Sequence, residues 1–207
     1  MKNALLFGTT LVLFGLISCG KKNIQPVISL NGEMEQTLAL GTPYSEAGAT
    51  AQDNKDGDIS DDIIITGTVN HNLVGEYRIF YNVQDSEGNK AATATRFINV
   101  VNDADFMIGT YEASPTCMGT VTYDNYNTLI WTSNEVNNQI LIRRVLWGVE
   151  DEPVIANVSG STITIPTQTI GDVTMSGSAT YISGNFLLDV TITGPWSYDC
   201  SIDHVKL

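Results

Sequence analysis

From Pro26 onward, apolar and polar positions alternate in short runs, and Gly, Asn, Ser and Pro punctuate them. Alternation with a period of two marks half-buried strands. Val27, Ile28 and Leu30 open one strand, which Asn31-Gly32 ends. Runs at 37–40 and 47–51 predict two more, and the β-branched run 63–69 a fourth. Tyr77, Ile79, Tyr81 and Val83 alternate with Arg78, Phe80 and Asn82, and 91–101 closes the set. Between them Ser86-Glu87-Gly88-Asn89 reads as a turn whose Gly88 and Asn89 both take positive φ. After the short polar junction 102–105, strands are predicted at 106–112, 118–124, 129–132, 139–146, 154–158, 161–165, 173–181, 185–193 and 198–205. Nothing repeats at helical spacing.

The fold class is therefore all-β. The first unit, 26–101, has the many short, turn-punctuated strands of a β-sandwich. In the second, 106–207, Ser159-Gly160-Ser161 and Ser183-Gly184-Asn185 are hairpin turns, and no connection is long enough for a crossover helix. An antiparallel up-and-down meander follows, and closing it into a β-barrel removes its open edges.

The first residues break the pattern. Lys2 precedes an apolar run from 4 to 17, too short for a bilayer, which takes about 20 apolar residues. A charged start, an apolar middle and a small-residue end make a signal peptide, 1–18. Leu16-Ile17-Ser18-Cys19 resembles the lipobox of bacterial lipoproteins. That resemblance implies acylation of Cys19, a tether over 19–25 and anchorage to a membrane through lipid. Two or more acyl chains hold where one is marginal. Gly20, in place of Asp, implies passage to the outer membrane. Lys21-Lys22-Asn23 replaces the acidic cluster that surface-exposed Bacteroidota lipoproteins often carry, which leaves the face open, with the cell surface favoured over the periplasmic side.

Formal net charge is −13, and loss of the leader removes one more positive charge, Lys2. That surface disfavours nucleic acid. With Cys19 acylated, Cys117 and Cys200 remain as an even pair in an exported chain, which predicts a disulfide. It would close a loop of about 84 residues, worth roughly 4–5 kcal/mol of unfolded-chain entropy. Cys117, at the start of an early strand, and Cys200, in the last, can meet only if the meander's ends lie side by side.

The ordered segments Gly48-Ala49-Thr50-Ala51-Gln52-Asp53, Asp56-Gly57-Asp58-Ile59, Gly75-Glu76-Tyr77 and Asp85-Ser86-Glu87-Gly88-Asn89 resemble the bacterial Ig-like domain of pesticidal crystal proteins and surface proteins. The resemblance implies a spacer. Gly75 ahead of Tyr77 suggests a tyrosine corner, in which the hydroxyl ties loop backbone. Gly109-Thr110-Tyr111, the Ser159-Gly160 hairpin and the final Cys-bearing strand resemble lipocalin-like C-terminal domains of Bacteroidota lipoproteins. The whole layout resembles accessory lipoproteins of SusC/SusD-like uptake systems, which implies such a complex as partner.

Candidate chemistry is sparse. Asp53, Asp56 and Asp58 cluster in one loop as possible calcium ligands, or as caps on loop amides. Their spacing is not that of an EF-hand. Trp196 and Tyr198 near a hairpin tip, Trp147 beside Gly148, and Tyr126 in a polar loop could stack on a glycan or hold a peptide. Alternatively Trp131 and Trp147 are core residues and Trp196 closes one end. No zinc spacing, nucleophile elbow or phosphate loop is present. The reading is a non-catalytic ligand-binding lipoprotein. The alternatives are a structural or adhesive envelope protein, or a hydrolase whose carboxylate pair meets only in the fold.

Overall fold

A computed structural model describes residues 22, 24–118, 121–145, 152–195 and 197–207. Its first unit is a two-sheet sandwich. One sheet orders β1 (Val27–Leu30), β3 (Ala49–Asp53) and β4 (Gly57–Asp58). The other orders β2 (Glu35–Ala39), β7 (Ala94–Val101), β6 (Gly75–Asn82) and β5 (Ile64–Thr66), with β2 and β7 parallel. The two-residue β4 was not foreseen. It forms inside the acidic loop, pairing Asp58 with Gln52. The strand expected over 63–69 is shorter because Gly67, at φ +107°, lies against the Arg78 carbonyl. A Cβ there would sit 2.3 Å from that oxygen. In the Asp85–Asn89 turn only Gly88 takes positive φ; Asn89 is instead held by the Asp85 carboxylate.

Tyr81, Ile79, Ile98, Val100 and Ala51 fill the sandwich interior. Arg96 is buried with them, and its Nη2 donates to the carbonyls of Asn31 and Gly48, at 2.5 and 3.1 Å. Its Nη1 pairs with Glu46 at 3.1 Å. Burial alone would raise the Glu46 pKa. Hydrogen bonds from Tyr44, Tyr81 and the Gly48 amide, with Arg96 alongside, outweigh it and hold the carboxylate below its ordinary value. One guanidinium thus ties the β1 and β3 ends to the opposite sheet.

The second unit is a closed barrel. Its eight strands are β8 (Gly109–Cys117), β10 (Tyr126–Thr132), β11 (Gln139–Arg143), β12 (Val154–Ser159), β13 (Thr162–Ile170), β14 (Val173–Ile182), β15 (Asn185–Thr193) and β16 (Tyr198–Lys206). Neighbours in sequence pair antiparallel, and β8 closes the ring by pairing β16 on one side and β10 on the other. The short β9 (Val121–Thr122) extends the β10 side of β8. Several boundaries depart from expectation: β10 begins at Tyr126, expected in a loop, and β13 runs on to Ile170. Asp105–Met107 is a single 3-10 turn rather than strand, and Cys117 stands at the end of β8, not at the start of the next strand. Cys117 and Cys200 are register partners across β8 and β16 and form the disulfide.

Inward side chains from every barrel strand, including Tyr111, Ile130, Ile140, Ile163, Met175 and Leu188, pack the interior. Trp131 alternates to the other side: it is half-buried on the outer wall, opposite Leu141 on β11.

The junction is bonded rather than loose. Asn102 is buried; its Nδ2 donates to the carbonyls of Ser133 and Val136, at 2.8 and 2.9 Å. Its Oδ1 accepts from the amides of Ala104 and Asn138, at 3.0 and 2.9 Å. The Val74 amide donates to the Asn134 carbonyl at 3.0 Å. The β10–β11 loop is thereby clipped to the sandwich, and that end of the barrel faces it.

Candidate functional site

Antiparallel order sorts the barrel's connections between two ends. The loops at 133–138, 160–161 and 183–184 share the end that faces the sandwich. The ends of β8, β11, β13 and β15 and the starts of β10, β12, β14 and β16 share the far end. Tyr126 and Tyr198, which begin β10 and β16, stand at that far end. Trp147 and Trp196 are outside the described residues, as is Cys19.

The two described aromatics are partly committed to structure. Tyr126 packs against the barrel core and donates its hydroxyl to the Val145 carbonyl. Burial pushes that hydroxyl's pKa up. Tyr198 is half-buried against the core, opposite Ile192.

The three aspartates of the acidic loop are brought together as caps. Asp53 Oδ1 accepts the amides of Lys55 and Asp56, at 2.7 and 2.9 Å. Those bonds, the Asp56 amide first, hold the Asp53 pKa below its ordinary value. Both Asp56 oxygens accept from Ser86, through its amide at 2.7 Å and its hydroxyl at 2.9 Å. Asp58 accepts the amide and hydroxyl of Ser60, and the hydroxyl bond lowers its pKa. Among the described residues no group of three or more His, Cys, Asp or Glu is placed to hold a metal ion. Beside this loop a cleft of about 690 Å³ opens, lined by Asp56, Asp62, Ile64, Asp85 and Lys90; Asp53 and Asp58 do not line it.

Three residues escaped the sequence reading. Arg96 and Asn102 carry no signature, because a buried polar side chain is recognised only by its distant partners. His204 is the third. It is buried, stacked on Phe186 with ring centroids 4.3 Å apart, and its Nδ1 lies 3.1 Å from the Ile202 carbonyl. Burial drives its pKa down to about 4. Its inward position on an alternating strand was the available signal.

Residues 28–100 match the family described as "Bacterial surface protein, Ig-like domain". The match spans the sandwich, the Ig-like region of the chain. No curated protein matches the chain. Among solved structures, a lipoprotein from Bacteroides thetaiotaomicron is similar at 19% identity and a TM-score of 0.38, covering 87% of this chain and 100% of its own. No helix among the described residues is long and apolar enough to cross a membrane.

Proposed function

We propose that this chain is a non-catalytic lipoprotein of the bacterial envelope, held in the outer membrane by acylated Cys19 and facing the cell exterior. The Ig-like domain is its spacer, and the barrel carries ligand, a glycan or a peptide, in service of a SusC/SusD-like uptake complex. The supporting observation is the sorting of loops. The sandwich holds one end of the barrel, and Tyr126 and Tyr198 begin strands at the other. A ligand-binding rim on a spacer is placed where a membrane-held protein meets its medium. The surface-protein Ig-like match supports the same placement.

Mass spectrometry of the native protein tests the anchor, with acyl groups expected on Cys19. Binding of labelled oligosaccharides and peptides to the acylated protein in detergent tests the rim, with loss expected on Trp196→Ala. An unmodified amino terminus, or release of reducing ends from a bound glycan, overturns the reading.

A further inference from the structure

The barrel wall carries a second surface that neither the rim nor the junction uses. Register alone assembles it. Thr164 pairs with Ser178, Ser178 with Asp189, Asp189 with Ser201, Ser201 with Thr116, and Thr116 with Thr122. These residues form one row across six consecutive strands, on the outward face of the sheet. A parallel row beside it runs Ser176, Thr191, Asp199. All of these side chains are short. An outer wall dressed with Lys, Glu or Arg would be filled by long flexible arms; here the backbone lies close beneath the surface.

The wall is also sunken there. A depression of about 920 Å³ lies over the two rows, and a second of about 510 Å³ adjoins it, both bordered by Ser178 and Asp189. Gly177 is part of its lining. A Cβ there would stand 2.6 Å from the Asp189 carbonyl oxygen, so the missing side chain lets β14 and β15 approach closely. The register shift between Ile165 and Gln168 on β13 breaks the ladder alongside. A closed barrel is convex outside by default, so a hollow needs such a device.

We propose that this hollow is a binding site for a neutral, extended oligosaccharide; the proposal rests on the reading of the barrel as the ligand-carrying domain. The polar groups are set in advance. Asp189 Oδ1 accepts the Ser201 hydroxyl at 2.6 Å, and Asp199 Oδ1 accepts the Thr191 hydroxyl at 2.7 Å. Each carboxylate is held in one orientation with Oδ2 as the atom a ligand would meet. Hydroxyl donors and carboxylate acceptors recur at strand spacing, about 4.8 Å, close to the length of one sugar ring in an extended chain. Among the described residues no Lys, Arg or His borders either depression to neutralise a uronate, sulfate or phosphate. Beneath the rows, β14, β15 and β16 each have a paired neighbour on both sides and offer no free edge to a peptide strand.

The test uses the acylated full-length protein in detergent. Titrations employ maltohexaose, cellohexaose, mannohexaose and xylohexaose, with oligogalacturonate as the anionic comparison and a casein digest as the peptide comparison. At least one neutral hexaose should bind. Asp189→Asn should weaken it about tenfold, and Ser178→Tyr, at an exposed strand position, should abolish it with the thermal midpoint unchanged. Trp196→Ala should leave this wall component intact and remove only binding at the rim. Binding that is lost on Trp196→Ala but survives both wall variants overturns the hollow and keeps the rim. Failure of all four hexaoses, or preference for oligogalacturonate or peptide, overturns the hollow as a neutral-glycan site, and acylation of Cys19 still decides the envelope reading separately.

Discussion

The Tyr111 hydroxyl donates to the Met107 carbonyl, four residues upstream, at 2.7 Å. Tyr77 does the same to Leu73 at 2.8 Å. Each tyrosine stands two residues after a glycine, Gly109 and Gly75, where a strand begins. The chain thus uses one corner device to start a strand in each domain. The ring of Tyr111 is fully buried against Phe186, so its hydroxyl bond is the more protected of the two.

Tyr111→Phe should therefore cost about 1 kcal/mol, the net value of one buried hydrogen bond, with a further penalty for the stranded Met107 carbonyl. Tyr77→Phe should cost less, because Tyr77 is only half-buried. Urea unfolding of the two variants checks the order.

Asn102 satisfies four backbone groups at the junction with one side chain. Asn102→Ala leaves these groups without it, at about 1–3 kcal/mol for the buried ones. The barrel's thermal midpoint should fall and the two domains should tumble more independently, a change that NMR relaxation reads directly. Tumbling as one body in the variant would place the rigidity elsewhere.

The Cys117–Cys200 bond closes 83 residues of sequence separation between the barrel's first and last strands. Replacing both with Ser should destabilise the barrel by roughly 4–5 kcal/mol through the entropy of the unfolded chain. The Ig-like domain contains neither cysteine, so its own transition should not move. Calorimetry with and without reductant separates the two.

His204 should make the barrel acid-sensitive. Its folded pKa is about 4, below the 6.5 of the free side chain. Above pH 6.5 both states are neutral and the contribution is complete. As pH falls from 6.5 toward 4, the unfolded chain takes up a proton that the folded chain refuses, and stability declines by about 3 kcal/mol. His204→Phe, which keeps a ring against Phe186, should flatten that part of the stability curve. Urea midpoints between pH 7 and 4 measure it.

Much of this was legible along the chain because it is local. Alternation reveals strands, since inward and outward positions face different media within a few residues of each other. The hairpin turns, the Gly-x-Tyr corner at Tyr77 and the pairing of two leftover cysteines all rest on short-range chemistry or on simple parity. The aspartates at 53, 56 and 58 show the limit of that logic. Ligand and cap are the same residue type, and only the fold shows their oxygens turned onto the amides and hydroxyls of Lys55, Ser60 and Ser86.

What tertiary structure alone decided is everything that depends on register. Sequence determined that the outward positions of β13 to β16 include many Ser, Thr and Asp; it could not say that Thr164, Ser178, Asp189 and Ser201 stand in one line. Side-chain identity is written residue by residue, whereas the neighbour across a strand is set by turns and pairings summed around a closed ring. The close approach of β14 and β15 at Gly177, the burial of Arg96 and the clip at Asn102 share that origin, because each is defined by a partner elsewhere along the chain.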